Sequence, residues 1–392
     1  MTETDDAAER TLTLLSAGTA ARRQLMHGLA EELSPRIDWS RLAESLRARK
    51  LLSSLGPNVI ELARGKESGD FSRAVDEAIT TGRRHASFLQ LLSGRAIGML
   101  GDAGIRAATL KGPLLGQAIY GDLGRRISSD IDILVAPEQL TAAVEVIRSL
   151  GYGAPADHVE TGGLPMLHFV LVHEGGDLPA VELHWRIHWY ERDFARDRLL
   201  PPDIHRAGDW RPEPAAELVA LLLFYARDGF AGLRLASDLS AWWDVYGHDL
   251  PPGAVTDVLR AYPLLERAVV AATRAAEETV GLPARDILGG RSKLTSRERV
   301  AARLANPSPT ASEAQLYAEM GLVDGLLMPP GGFRAFVRRQ LLPPAEVLDE
   351  QSRAAARPRA RSPLARCVGV LARYCATLAR LTRPPERLQR LE

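Results

Sequence analysis

Aspartate and isoleucine alternate at the start of an apolar segment, DIDILV, that runs from Asp130 to Val135. Successive side chains of a β-strand point to opposite faces, so Asp130 and Asp132 would share one face while the isoleucines enter a core. Two carboxylates on one face repel each other unless a cation lies between them. The pattern therefore predicts a half-buried strand that binds a cation. Mg²⁺ fits because it prefers oxygen ligands and leaves positions for water and phosphate.

A third acidic residue lies in a second apolar segment, where Glu182 alternates with Val181 and Leu183. A charged side chain in the middle of an apolar strand needs a partner or a metal ion. Three acids from two adjacent strands could support a site for two metal ions of the kind that serves phosphoryl chemistry. Asp130, Asp132 and Glu182 are therefore the candidate catalytic and metal-binding residues.

A Lys-Gly turn precedes the acidic pair, between a strand expected over residues 105–110 and a helix expected over 113–120. Gly112 would let the backbone approach a ligand, and the helix N-terminus offers free amides to an anion. Lys111 could place a positive charge on a phosphate, although it is also compatible with an ordinary surface lysine. Arg126 could do similar work or pair with an acid. These three residues are the candidate phosphate-binding set.

Strand and helix patterns alternate around these motifs, and helical periodicity dominates on either side. Further expected elements are a strand over 129–135, a helix over 137–151 and strands over 167–174 and 180–189. The fold class is predicted to be α+β, with a small mixed sheet flanked by helical regions. The expected divisions are an N-terminal helical region at 1–96, an α/β core at 97–195, a C-terminal helical domain at 196–345 and an Arg-rich tail at 346–392.

Composition excludes several classes of protein. The 49 basic and 49 acidic residues give a formal net charge of zero, so no overall field favours nucleic acid as a partner. Two cysteines are too few for a disulfide scaffold and fit a reducing compartment. The acidic N-terminus has no signal-peptide pattern, and no apolar run is long enough to span a membrane. A cytoplasmic location is therefore expected.

The Arg-rich tail contains the segment PLARCVGVLARYCATLARL, in which Arg366, Arg373 and Arg380 recur at seven-residue intervals. One basic face beside one apolar face predicts an amphipathic helix. Such a helix could contact a membrane surface. Packing on the protein itself, with the arginines in water, is the favoured interpretation because basic solvated faces are common.

Two histidines, His184 and His188, are four residues apart, which on a helix would be a zinc-binding spacing. They are expected at the end of a strand, and no His-Glu-x-x-His pattern is present. His184 is instead expected to pack beside Trp185 and to orient Glu182.

Taken in order, the motifs resemble one known family. They are Leu-Lys-Gly at 110–112, Ile-Tyr at 119–120, Arg-x-x-x-Asp-x-Asp from Arg126 and Glu-Leu-His-Trp at 182–185. This pattern is similar to that of an uncharacterised bacterial group within the polymerase-beta-like nucleotidyltransferase superfamily. The resemblance covers residues 37–246 and extends into the helical flanks.

The resemblance implies metal-dependent transfer of a nucleoside monophosphate from ATP or another nucleoside triphosphate, with Mg²⁺ or Mn²⁺ as cofactor. It implies that Asp130, Asp132 and Glu182 are metal ligands and that a small molecule or a protein side chain is the acceptor. Two departures from the wider superfamily matter. The usual Gly-Ser turn is Lys-Gly, as in this group, and Tyr225 replaces an expected histidine.

Two other functions remain open from the sequence. A module with the same fold could bind nucleotides without catalysis, although the three intact acids argue against it. An accessory protein could instead act through the basic tail.

Overall fold

The computed structural model describes residues 3–153, 167–191, 193–204, 210–289, 294–304 and 313–334, and isolated positions from 368 to 379. The N-terminal helices are α1 (Glu3–Ser16), α2 (Ala20–Leu25), α3 (His27–Leu33), α4 (Trp39–Ala48), α5 (Leu52–Ala63) and α6 (Gly69–Asp102). The sheet region contains β1 (Ala107–Thr109), α7 (Pro113–Tyr120), β2 (Asp130–Val135), α8 (Leu140–Arg148), β3 (Tyr152–Gly153), β4 (His168–His173) and β5 (Ala180–His184). The later helices are α9 (Phe194–Arg198), α10 (Pro214–Arg227), α11 (Arg234–Tyr246), α12 (Ala254–Ala261), α13 (Glu266–Val280), α14 (Ala284–Leu288), α15 (Ser296–Arg303) and α16 (Glu313–Leu327).

The sheet is mixed, which confirms the predicted α+β class. Its strand order is β1-β2-β5-β4-β3. Strands β2 and β5 are parallel, whereas β1 pairs with β2, and β4 with β5 and β3, in antiparallel fashion. The parallel pair at the centre places the acidic strand directly beside the strand that contains Glu182.

Strand β5 is shorter than the sequence predicts. It ends at His184 rather than continuing to residue 189, after which Trp185 donates one more backbone hydrogen bond to Leu167. Ile187 is then fully buried in the larger, mainly helical core. The chain therefore leaves the sheet because its next apolar side chain packs elsewhere. The two-residue strand β3 was not expected from the sequence.

One face of the sheet is apolar and covered by two helices. Its isoleucine, valine and leucine side chains form a core with the C-terminal half of α6 and with α8; the members from the strands include Ile131, Ile133, Val135, Val181 and Leu183. This burial explains the period-two pattern of the sequence. It also forces the intervening acids of β2 and β5 onto the opposite face.

Helix α6 packs against the apolar face of the sheet. Ser68 caps its N-terminus by accepting the backbone N–H of Phe71. Gly104, with a φ of 76°, follows its C-terminus in the left-handed conformation that glycine adopts readily. The domain division expected after residue 96 falls within this helix.

No helix in the described residues is long and apolar enough to cross a membrane. The tail over 346–392 lies outside the described residues except for a few positions, so the predictions made for it stay predictions.

Candidate active site

The structure brings the three predicted acids to one face of the sheet. Asp132 is the register partner of Glu182 in the parallel pair, and Asp130 is the partner of Ala180. Because register partners and residues two apart share a face, all three carboxylates lie on the side opposite the apolar core.

His184 links two of these acids, as the sequence suggested for Glu182. Its ring is fully buried, and its Nε2 lies 2.9 Å from Asp132 Oδ1 and 3.2 Å from Glu182 Oε2. Its Nδ1 is buried and has no partner among the described residues. A hydrogen on Nε2 satisfies this geometry, since Nε2 then donates to both carboxylates. His188 lies elsewhere, with its ring against Tyr190.

Asp130 is the acid without a counter-ion. Its side chain is half-buried and makes no hydrogen bond or ion pair with any residue that the structure describes. Burial raises the pKa of Asp130, and the negative charges of Asp132 and Glu182 raise it further. A carboxylate in this position is stabilised by a cation.

The surroundings of Asp132 favour its ionised form, whereas those of Asp130 disfavour it. Burial disfavours its charge, but the ammonium group of Lys111 and the hydrogen bond from His184 outweigh that effect and hold the pKa of Asp132 well below its usual range. Lys111 Nζ lies 3.4 Å from Asp132 Oδ2 and 4.4 Å from the ring centroid of Phe224. The predicted phosphate-binding lysine is therefore held at the acidic site by α10.

Two sets of side chains offer donors for a metal ion. Among the described residues, one group of three has its ligand atoms within 4.8 Å of one another, and it consists of His168, Glu182 and His184. With its hydrogen on Nε2, His184 would have no lone pair at that atom for a metal ion while it bonds the two acids. The carboxylates of Asp130, Asp132 and Glu182 share a sheet face but are not a group of this kind among the described residues. Their oxygen atoms are of the type that Mg²⁺ and Mn²⁺ prefer.

Burial lowers the pKa of His168 to about 4 despite the neighbouring Glu182. The ring is therefore neutral at physiological pH. It stacks against His184 with ring centroids 4.8 Å apart.

A buried ion pair fixes the loop that leads into β2. Arg126 Nε donates to Asp238 Oδ2 at 2.9 Å, and both side chains are almost wholly inaccessible. The hydroxyl of Tyr120 donates to Asp238 Oδ1 at 3.0 Å, while Arg126 Nη1 contacts the Ser128 hydroxyl. Arg126 thus follows the second of the two roles predicted for it, pairing with an acid.

The same loop has contacts with α6 and α11 at neighbouring positions. Arg234 donates to the carbonyl of Ile127, and His85 Nε2 lies 2.8 Å from the carbonyl of Ser128. The backbones of Gly82 and Gly124 touch so closely that a Cβ on Gly82 would lie 2.3 Å from the Gly124 carbonyl oxygen. These contacts position Asp130 at the start of β2.

A cavity of about 620 Å³ opens beside the acidic pair. Asp130, Asp132, Lys111 and Gly112 line one side of it, and Gly112 has a φ of 89° at the turn into α7. Helix α6 supplies the other wall, with the residues Leu89, Gln90, Ser93, Gly94, Ile97, Gly98, Gly101 and Asp102. The cavity therefore combines candidate catalytic acids with an uncharged helical wall that ends in one acid.

Sequence reasoning did not identify Arg227 or His168 as site residues. For Asp238 it favoured a solvated helix cap over a place in the substrate cleft, whereas the structure buries Asp238 against Arg126. Arg227 and Asp238 lie on α10 and α11, far along the chain from the acids. One signal was available for Asp238, since an aspartate in an apolar helix segment needs a buried partner.

Comparisons with known proteins agree with the motif order. A family model described as an uncharacterised nucleotidyltransferase matches residues 35–281, which is well over half of the chain. The search of curated proteins found no match, and the search of solved structures found none either.

Proposed function

Because the chain belongs to the family of uncharacterised nucleotidyltransferases, we propose that it transfers a nucleoside monophosphate from a nucleoside triphosphate to a hydroxyl-bearing acceptor. The observation that supports this proposal best is the placement of Asp130, Asp132 and Glu182 on one sheet face, with the aspartates at the edge of a cavity. Lys111 and Gly112 lie at the same edge and can bind phosphate oxygens.

The proposed reaction forms one bond and breaks one. The acceptor oxygen attacks the α-phosphorus, and the bond from that phosphorus to the bridging oxygen breaks. Pyrophosphate leaves with the electron pair of the broken bond. The hydroxyl proton passes to a carboxylate, and Asp130 is well placed to accept it because it lines the cavity and has no counter-ion among the described residues. Glu182, which the sequence suggested for this step, is not among the described residues that line the cavity.

Asp130, Asp132 and Glu182 are proposed to hold Mg²⁺ or Mn²⁺, which when bound neutralises charge on the phosphates and lowers the pKa of the attacking hydroxyl. His184 holds the carboxylates of Asp132 and Glu182 in place by donating to both. The protein then acts mainly by positioning groups and balancing charge.

The α6 wall of the cavity is proposed to receive an uncharged part of a substrate. Lys111 is the only basic residue among the described residues that line this cavity, and Asp102 adds a negative charge. A polyanionic acceptor such as nucleic acid is therefore disfavoured. A small molecule or a protein side chain remains the proposed acceptor class.

The test is incubation of the purified protein with triphosphates labelled at the α-phosphate, Mg²⁺ and cell extract. We expect a labelled product with the wild-type protein and none with Asp132→Asn. The exposed residue Asp249 offers a matched control, and Asp249→Asn should retain the activity. Triphosphate binding without transfer to any component of the extract would contradict the proposal and favour a non-catalytic nucleotide-binding module.

A further inference from the structure

Strands β4 and β5 place two histidines and a glutamate on the acidic face of the sheet. Glu182 and His184 are two residues apart on β5, and His168 of β4 is the register partner of His184. Residues two apart and register partners share a face, so the three side chains lie together. The proposed function uses Glu182 as a metal ligand and His184 as a hydrogen-bond donor, and it leaves His168 without a role.

The distances within this group are close to those that one small metal ion requires. Glu182 Oε2 lies 3.2 Å from His184 Nε2 and 3.8 Å from His168 Nε2. The three residues can each offer a ligand atom within 4.8 Å of the other two. Ligand atoms bound at about 2.0–2.1 Å to a tetrahedral zinc ion are about 3.3–3.4 Å apart. Small side-chain adjustments would therefore bring all three residues onto one ion.

An ion can reach this group from solvent. The side chains of His168 and Glu182 are 33% and 23% exposed, whereas that of His184 is fully buried. At 3.8 Å the contact between His168 and Glu182 is too long for a hydrogen bond, so an ion between them would replace no bond there. Two of the three donors are thus open to an incoming ion, and the third lies within hydrogen-bond distance of Glu182.

We propose that His168, Glu182 and His184 form a binding site for a transition-metal ion of the Zn²⁺ type, beside the proposed Mg²⁺ site and sharing Glu182 with it. Imidazole nitrogens suit such ions, whereas Mg²⁺ prefers oxygen ligands. Two histidines and one glutamate with an open fourth position form a donor set that zinc adopts. The ion takes the place of the hydrogen on His184 Nε2, and the ion-bound ring has its hydrogen on Nδ1.

The bound ion should be exchangeable rather than permanent. Metal-binding histidines usually donate their second N–H to a neighbouring acceptor. The Nδ1 atoms of His168 and His184 are both buried and have no hydrogen-bond partner among the described residues. The site thus has the donors for an ion but lacks the outer hydrogen bonds that strengthen a structural zinc site.

The test measures metal binding and needs no nucleotide. Full-length protein stripped of metal with EDTA is titrated with Zn²⁺ by calorimetry, and we expect one ion per chain. Loss of even an outer partner weakens metal binding about 10–100-fold, so His168→Gln should cost about tenfold or more. Glu182→Gln should also weaken binding. Co²⁺ serves as a second probe, and the visible absorption of tetrahedral Co²⁺ should appear with the wild-type protein and not with His168→Gln.

His248→Gln is the matched control, because His248 is an exposed histidine outside this group. It should bind Zn²⁺ as the wild-type protein does, and thermal unfolding in EDTA should show that every variant is folded. Equal Zn²⁺ affinity in folded His168→Gln and wild type would overturn the inference, as would a wild-type protein that binds no Zn²⁺. A larger loss in Asp130→Asn than in His168→Gln would also overturn it, since the ion would then lie on the aspartates. The result stands apart from the transfer assay, so failure of the proposed function would not remove a histidine-dependent Zn²⁺ site.

Discussion

Asp130 holds a negative charge in a place where the folded protein disfavours one. Burial and the charges of Asp132 and Glu182 raise its pKa more than the charges of Lys111 and Arg234 lower it, and it makes no ion pair with a described residue. In the absence of a divalent cation, ionised Asp130 should therefore lower stability. This is the pattern expected of a residue retained for function rather than for folding.

We predict that Asp130→Asn stabilises the metal-free protein and abolishes transfer. The gain should be about 0.2–1 kcal/mol for each like-charge contact removed. Urea unfolding in the presence of EDTA measures it. A loss of stability in Asp130→Asn under these conditions would contradict the electrostatic account.

Glu191 is a second residue whose ionisation opposes folding. It is almost fully buried, its Oε1 accepts the backbone N–H of Ala195 at 2.9 Å, and its Oε2 has no partner in the described residues. Burial raises the pKa of Glu191 to about 7 from an ordinary value of 4.5. In the folded state the carboxyl group is therefore protonated over a pH range where the unfolded chain is ionised.

The sign of the pH effect follows from proton counting. Between pH 4.5 and about 7 the folded state binds more protons at Glu191 than the unfolded state, so stability falls as the pH rises. The total loss should be at most about 3 kcal/mol. Glu191→Gln should remove this slope, because a neutral amide can still accept from Ala195. Unfolding free energies at several pH values measure the difference, and parallel curves for the two proteins would refute the prediction.

Helix α11 stabilises the acidic strand through one buried ion pair. Arg126 and Asp238 are both almost completely inaccessible, and Tyr120 completes the contact. Removing one partner of a buried pair leaves an uncompensated charge and costs about 3–5 kcal/mol. We predict a loss of this size for Asp238→Asn in chemical denaturation.

The double variant Arg126→Met with Asp238→Leu is the informative comparison. It removes both charges and should recover most of the lost stability. Because the loop before β2 would then lose its fixed position, transfer activity should remain low even though the fold recovers. Full activity in the stable double variant would show that the pair does not position Asp130.

Helix α6 contains two glycines that its own packing does not require. A Cβ added to Gly94 or Gly98 would meet no atom within 4 Å, and both residues line the cavity. Glycine inside a helix costs about 0.5–1 kcal/mol relative to alanine. The open space beside them is the feature that a substrate could use.

We predict that Gly98→Ala stabilises the protein by about 0.5–1 kcal/mol and raises KM several-fold, since the new methyl group enters the cavity. Thermal unfolding and steady-state kinetics measure the two effects. Gly28→Ala on α3 is the control, because Gly28 is also unobstructed but does not line this cavity. It should leave KM unchanged. An unchanged KM in Gly98→Ala would argue against substrate binding along α6.

At the scale of the molecule, the strands and the acids were predictable because their signals are local. The alternation in β2 and β5 follows from one buried face of the sheet, so it can be read without knowledge of the partner strand. The end of β5 was not predictable, because it depends on where Ile187 packs in another core. Tertiary packing, rather than strand propensity, decides such a boundary.

Lys111 was predicted from the sequence, but the approach of Arg227 to the acids was not, for the same reason. Arg227 approaches the acids only because α10 folds back toward Lys111, which is more than a hundred residues away in the chain. No periodicity or motif marks that approach. The sequence thus indicates the acids and the lysine of the site, whereas the fold indicates that α10 supports this lysine through Phe224.

The separate positions of the acids and of the proposed phosphate-binding residue predict how ligands change the Tm of the protein. The acids lie on the sheet and Lys111 lies at the turn into α7, so a bound metal–triphosphate complex would contact both, whereas Mg²⁺ alone would contact only the sheet. A ligand at one hundred times its Kd stabilises the folded state by about 2.7 kcal/mol. We therefore expect Mg²⁺ with a non-hydrolysable triphosphate analogue to raise Tm by several degrees, and Mg²⁺ alone to raise it less. Asp132→Asn should abolish both shifts and Lys111→Gln only the additional one. Equal shifts for Mg²⁺ with and without the analogue in the wild-type protein would contradict a ligand that joins the two regions.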